Sequence, residues 1–213
     1  MTDDEIKDIE KRTRQYFYED GFIEIAVGIL FLMLGGYFFA TVALPATSRI
    51  KSWLDASFVL VILAGLFLVG RLVRFLKFRI TYPRTGYVAY KKKEATPRRR
   101  AAAAVSGGVI GAAFSVLLAV SPSVRAWLPA LNGLLIAFAC HLFARRADVM
   151  RFHILAVVSA VIGLAVALAG IGDIKGISLY YGVFGAAMIV SGIVAFSLYL
   201  RRSRTDEEGG HER

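Results

Sequence analysis

GFIEIAVGILFLMLGGYFFATVAL, Gly21–Leu44, decides the fold. It carries one acid, Glu24, and is stopped by Pro45. A bilayer core about 30 Å thick needs roughly 20 apolar residues in a helix, the one local structure that satisfies its own backbone there. This stretch has that length and no polar stripe, so it reads as a membrane span rather than an amphipathic helix on a soluble core.

Five further blocks follow. The spans are placed at about 21–44, 56–76, 101–120, 127–144, 152–171 and 177–200. The predicted fold class is an all-α membrane protein with six transmembrane helices, spanning residues 21–200. The composition agrees: 57% of the 213 residues are apolar, against about 45–50% in soluble domains, and the mean hydropathy is +0.59. Arg71 and Arg74 interrupt the end of the second block, where long side chains can snorkel to the headgroups. Pro129 lies in the first turn of the fourth, where proline is tolerated.

The positive charges orient the chain. Of the 26 Lys and Arg, only Arg49, Lys51, Arg125 and Lys175 fall on segments assigned to one side. The positive-inside rule therefore puts both termini in the cytosol, with the chain in the cytoplasmic membrane. Trp53, Trp127, Tyr180 and Tyr181 are expected at the outer interface as an aromatic belt. Residues 1–20 are acid-rich and lack the apolar core of a cleavable signal peptide. Within them Ile6, Ile9, Thr13, Tyr16 and Phe17 recur at helical spacing, which predicts a short amphipathic helix on the inner face; a solvated tail is the competing reading. Residues 201–213 form a charged cytosolic tail.

The loop 77–100 holds the densest positive charge. RITY and YVAY are rich in β-branched and aromatic residues, and PRTG between them has turn chemistry. A short β-hairpin over 79–90 is expected, followed by the basic return KKKEATPRRR. Clustered cations at a cytosolic membrane face attract anionic lipid. The candidate contacts with lipid or a partner are Arg79, Tyr82, Arg84, Tyr87, Tyr90, Lys91, Lys92, Lys93, Arg98, Arg99 and Arg100. A membrane-tethered hairpin offers no groove for base stacking, so nucleic acid is not expected as a partner. A membrane protein partner or a homo-oligomer is compatible with the pattern.

The membrane interior offers little chemistry. Glu24 lies near the cytosolic end of the first span and is expected to pair with Arg71 or Arg74. Cys140 is the one cysteine, and with His141 and His153 it lacks the spacing of a metal site. Asn132 is expected to bond to a neighbouring helix. Gly107 with Gly111, Gly163 with Ala167, and Gly182 with Ala186 are small-residue pairs suited to close helix packing. No hydrolase, zinc, phosphate-loop or dinucleotide motif is present. The expected class is a non-enzymatic multi-pass membrane protein without a cofactor. The alternative is a small-solute transporter or channel, and a membrane-embedded enzyme ranks below both.

Two stretches, YEDGFIEIAVGILFL and KFRITYPRTGYVAY, carry a resemblance. They are similar to segments found together in a family of uncharacterised prokaryotic integral membrane proteins. The matching residues are Asp20, Gly21 and Glu24 at the first span, then Tyr82, Pro83, Arg84, Gly86, Tyr87 and Val88 after the second. The resemblance covers mainly the first 90 residues. It implies the membrane class and transfers no activity.

Overall fold

The structure, a computed structural model, describes Tyr18, residues 20–45 and 47–81, Arg98 and residues 122–209. The expected amphipathic helix before residue 18, the third span at 101–120 and most of the basic loop lie outside the described residues. What is described is helical. α1 covers Phe22–Ala43, α2 Arg49–Leu76, the short α3 Pro122–Ala126, α4 Leu128–Ala147, α5 Met150–Leu168 and α6 Asp173–Gly209. Among the described residues five helices are long and apolar enough to cross a membrane: α1, α2, α4, α5 and the Asp173–Arg201 part of α6.

Local chemistry sets most boundaries. α1 follows Gly21, whose φ of 68° is left-handed. It ends at Ala43 because Leu44 precedes Pro45 and is extended. α4 carries Pro129 in its first turn and closes on Asp148 in the left-handed region. α5 closes with Gly170 left-handed, its N–H donating to Ala167 O and that of Ile171 to Val166 O. This is the paired bond pattern that satisfies the last carbonyls of a helix.

Two expectations change here. α2 begins at Arg49, well before the apolar block at 56. Its first turns hold Lys51, which donates to Thr41 O at 2.9 Å and lies 3.6 Å from Asp55 one turn on. At the other end α2 continues into a π-helical turn, Lys77–Thr81. Arg79, Ile80 and Thr81, expected to open a hairpin strand, are therefore helical, and no glycine or proline lies between Gly70 and Pro83. There is no strand among the described residues; the rest of the hairpin, Tyr82–Tyr90, lies outside them.

The helices pack as two close pairs, α1 with α6 and α4 with α5, joined mainly through α5 and α6. The α1–α6 pair is antiparallel with small residues at every seventh position. A Cβ on Gly21 would fall 2.4 Å from Gly192 O, on Gly28 2.8 Å from Gly185 O, and on Gly35 3.1 Å from Ser178 O. A seven-residue repeat keeps one seam facing its partner with left-handed winding. In α4–α5 the contact is at Gly133 and Gly163, where a Cβ on either would lie 2.9 Å from the other's Cα. Gly163 thus packs as its small-residue pair suggested. Tyr180, Phe184, Met188, Phe152 and Leu155 form the core between the pairs.

α2 is the outlier. It leans on α1, and Gly65 is its only buried residue, under Leu30. Val59, Leu60, Leu63, Leu66, Phe67 and Leu68 are each more than half exposed. Surface of this kind is unstable against water and neutral against lipid tails. The apolar helices and their outward faces are those of a multi-pass membrane protein.

Candidate functional site

Helix ends leave four backbone N–H groups without intrahelical partners, and the N-terminal end carries a partial positive charge. α1 answers with two acids. Asp20 Oδ1 accepts a hydrogen bond from Phe22 N–H at 3.3 Å, and Glu24 sits in the first turn. Both are sealed from solvent, Asp20 at 1% and Glu24 at 0% exposed. Gly21 between them allows the arrangement, because α6 passes too close for any side chain at that position.

Two cations reach the acids from elsewhere. Lys77, in the π turn that ends α2, places Nζ 3.0 Å from Asp20 Oδ2, and it is as buried as its partner. Arg151, in the first turn of α5, places Nη1 3.5 Å from Glu24 Oε1. Its Nη2 donates to Tyr18 O at 2.6 Å. Four ionisable side chains thus meet at one end of the bundle, with formal charges that cancel. Burying two such charges costs several kcal/mol per ion unless they pair well. Asp20–Lys77 is close and hydrogen-bonded. Glu24–Arg151 is looser: neither Glu24 oxygen has a hydrogen-bond partner among the described residues, and nor does Arg151 Nη1.

Glu24 was expected to pair with Arg71 or Arg74. The partner in the structure is Arg151, because the α4–α5 corner meets Tyr18, just before α1, through Phe143, Phe152 and Arg151 itself. Arg71 and Arg74 are exposed, and Arg74 Nε donates back to Gly70 O at 3.0 Å. Among the other candidates, Arg79 is exposed, with its guanidinium 6.0 Å over the Phe75 ring, and Arg98 is exposed. Tyr82, Arg84, Tyr87, Tyr90, Lys91, Lys92, Lys93, Arg99 and Arg100 lie outside the described residues.

A second polar set lies deeper. Ser159 Oγ donates to Gly133 O at 2.8 Å and shares a 2.6 Å hydrogen bond with Tyr180 OH. Tyr181 OH donates to Asn132 Oδ1 at 3.2 Å, so Asn132 does bond a neighbouring helix. Tyr180 is 0% exposed. The belt expected of Tyr180 and Tyr181 is therefore absent: their hydroxyls find partners inside the bundle, while Trp53 and Trp127 are exposed. His141 and His153 stack edge to face at 4.9 Å. No cluster of three or more metal-ligating side chains occurs among the described residues.

Sequence reasoning missed Lys77 and Arg151 as partners, because both read as loop cations. The burial of Lys77 depends on the π turn and the placing of Arg151 on the α4–α5 corner, which hydropathy does not encode. No family model, no curated protein and no solved structure matches the chain.

Proposed function

We propose that the chain is a non-enzymatic multi-pass membrane protein whose Asp20 end faces the cytosol and holds anionic lipid headgroups through a ring of exposed cations. One observation carries this reading. Arg71, Arg74, Arg79, Arg145, Arg146 and Arg201 are all exposed and all lie toward the end of the bundle where Asp20 meets Lys77 and Arg151. The other end has Arg49, Lys51, Arg125 and Lys175. Cations beside anionic lipid gain about 1 kcal/mol each, and the loop 77–100 would add to the same face. A basic face with a charge-neutral, sealed interior fits a surface that docks rather than a site that turns over substrate. A protein partner with an acidic face would use the same cations.

The six-span topology belongs to this proposal. Lys77 lies beside Asp20, whereas Ala126 lies against Gly172 at the opposite end of the bundle. The chain between them starts at one end of the bundle and finishes at the other, which supports a crossing at 101–120. Membership of the prokaryotic family with the Asp-Gly-x-x-Glu opening is likewise proposed. The burial of Asp20 and Glu24 gives that pattern a physical reason.

The test is retention of lipid by the full chain purified in mild detergent. Native mass spectrometry should show anionic phospholipid held in preference to zwitterionic, with the preference fading as salt rises. Equal retention of both overturns the reading. In a Cys140→Ala background, Lys91→Cys and Arg125→Cys should label from opposite sides of the membrane.

A small-solute transporter is the second reading. Its supporting observation is Glu24, whose buried oxygens lack hydrogen-bond partners among the described residues. The neutral charge balance of the cluster favours water or a neutral solute there over an ion. Glu24→Gln would abolish uptake on that reading and leave lipid retention unchanged on the first.

A further inference from the structure

Gly182 and Ala186 look from sequence like a helix-packing pair, yet only one side of that pair packs: the Gly182 backbone lies against Gly35, 2.8 Å from where a Cβ there would be, while Ala186 is exposed. A Cβ on Gly182 meets nothing within 4 Å, and the same holds for Gly36 on α1. The two glycines instead floor an open apolar groove between α1 and α6, about 560 Å³ in volume, which extends to Ala186 and Phe39. A second cavity of about 310 Å³ shares Phe39 and Ser178 with it and ends at Lys175. The two adjoin through Phe39, Ser178 and Leu179 and are apolar along their length, with Lys175 lining the end nearest the start of α6. Asp173, two residues before Lys175, does not line it.

Its length is informative. From Lys175 to Ala186 the helix rises about 16 Å at 1.5 Å per residue. Half of a hydrocarbon core about 30 Å thick is about 15 Å. A groove that runs from a cation at the bundle end to mid-membrane matches one leaflet and one acyl chain. Its floor of small residues lets a chain lie deeper than it could on a surface of Leu and Phe. Lys175 stands where a headgroup phosphate would be. Ser178 does not compete for that phosphate, because its hydroxyl already donates to Gly35 O at 2.8 Å.

We infer that this groove binds one phospholipid of the leaflet opposite the Asp20 end, with its phosphate on Lys175 and an acyl chain laid over Gly36 and Gly182. The site is separate from the basic face proposed above and stands whether or not that face binds lipid.

The test uses the full chain in vesicles of phosphatidylcholine and phosphatidylglycerol. Phosphatidylglycerol with a diazirine in its acyl chain serves as the probe. Photolysis should concentrate adducts on α1 and α6 along the groove, above the level on outward residues such as Val157 and Val161. Gly182→Leu and, independently, Gly36→Leu should remove that excess without changing the thermal midpoint, since nothing lies within 4 Å of either added Cβ. Lys175→Gln should lower it about fivefold. Adducts spread evenly over all outward faces would overturn the inference. So would a disulfide from Gly182→Cys to Gly111→Cys, Ala113→Cys or Ser115→Cys in a Cys140→Ala background, which would make the chain's own segment the occupant. A disulfide between two Gly182→Cys copies would make the occupant a second protomer and would overturn it equally.

Discussion

At the Asp20 end α1 meets its neighbours through charge. Asp20 takes Lys77 from the turn that ends α2, and Glu24 takes Arg151 from α5. A few turns further along, the same helix meets α6 through Gly28 and Gly35, with no polar group larger than a hydroxyl between them. The difference teaches what each contact can do. Glycine seams gain contact from close approach and tolerate no added atoms. Ion pairs reach across gaps that packing leaves, so they can hold a thinly packed helix such as α2. They also fail badly when half is removed, because the remaining charge stays buried.

Substitutions can break this contrast, and the largest effect is expected at the charged end. Lys77→Ala strands Asp20 and should cost about 3–5 kcal/mol of stability, read as unfolding in detergent. Asp20→Leu with Lys77→Met should cost less than Lys77→Ala alone; equal cost would mean the pair is not what holds α2. Next comes the seam. Gly28→Leu drives a side chain into Ile189 and Gly185 O, 2.7 and 2.8 Å from the new Cβ. The cost should be about 1–3 kcal/mol, with α1–α6 disulfide trapping reporting separation. Tyr181→Phe removes one interhelical hydrogen bond and should cost about 0.6 kcal/mol, the average for such bonds in a membrane. Smallest of all is Gly36→Leu, a glycine of the same helix that faces open space. It should stay within about 0.5 kcal/mol, and a loss as large as that of Gly28→Leu would erase the distinction between seam and groove.

Much of the fold was legible in the sequence because hydropathy is a local signal. The apolar blocks at 21–44, 127–144 and 152–171 fall within a few residues of α1, α4 and α5. Legibility failed where local and tertiary signals part. Arg49–Asp55 looks like a loop because charges interrupt the apolar run, yet Lys51 and Asp55 sit one helical turn apart. Tyr180 and Tyr181 look like an interfacial belt, since sequence position gives depth but not facing. Glu24 stands out as the acid within a span, but its partner is far along the chain. The seven-residue spacing of Gly21, Gly28 and Gly35 is in plain view in the sequence. It is masked there by four-residue pairs, one of which, Gly182 with Ala186, belongs only half to the seam: the Gly182 backbone meets Gly35 and Ala186 is exposed.

The reach of Arg151 also sets an order of events during synthesis. Lys77 emerges soon after Asp20, so the first pair can close once α1 and α2 are inserted. Arg151 lies 133 residues beyond Tyr18, the carbonyl it caps. At about 5–20 residues per second, α1 waits roughly ten seconds with Glu24 uncompensated. During that interval the start of α1 is held on one side only. A nascent chain halted after Ala144 should therefore leave Glu24 open to a carbodiimide that no longer reaches it once α5 and α6 are in place.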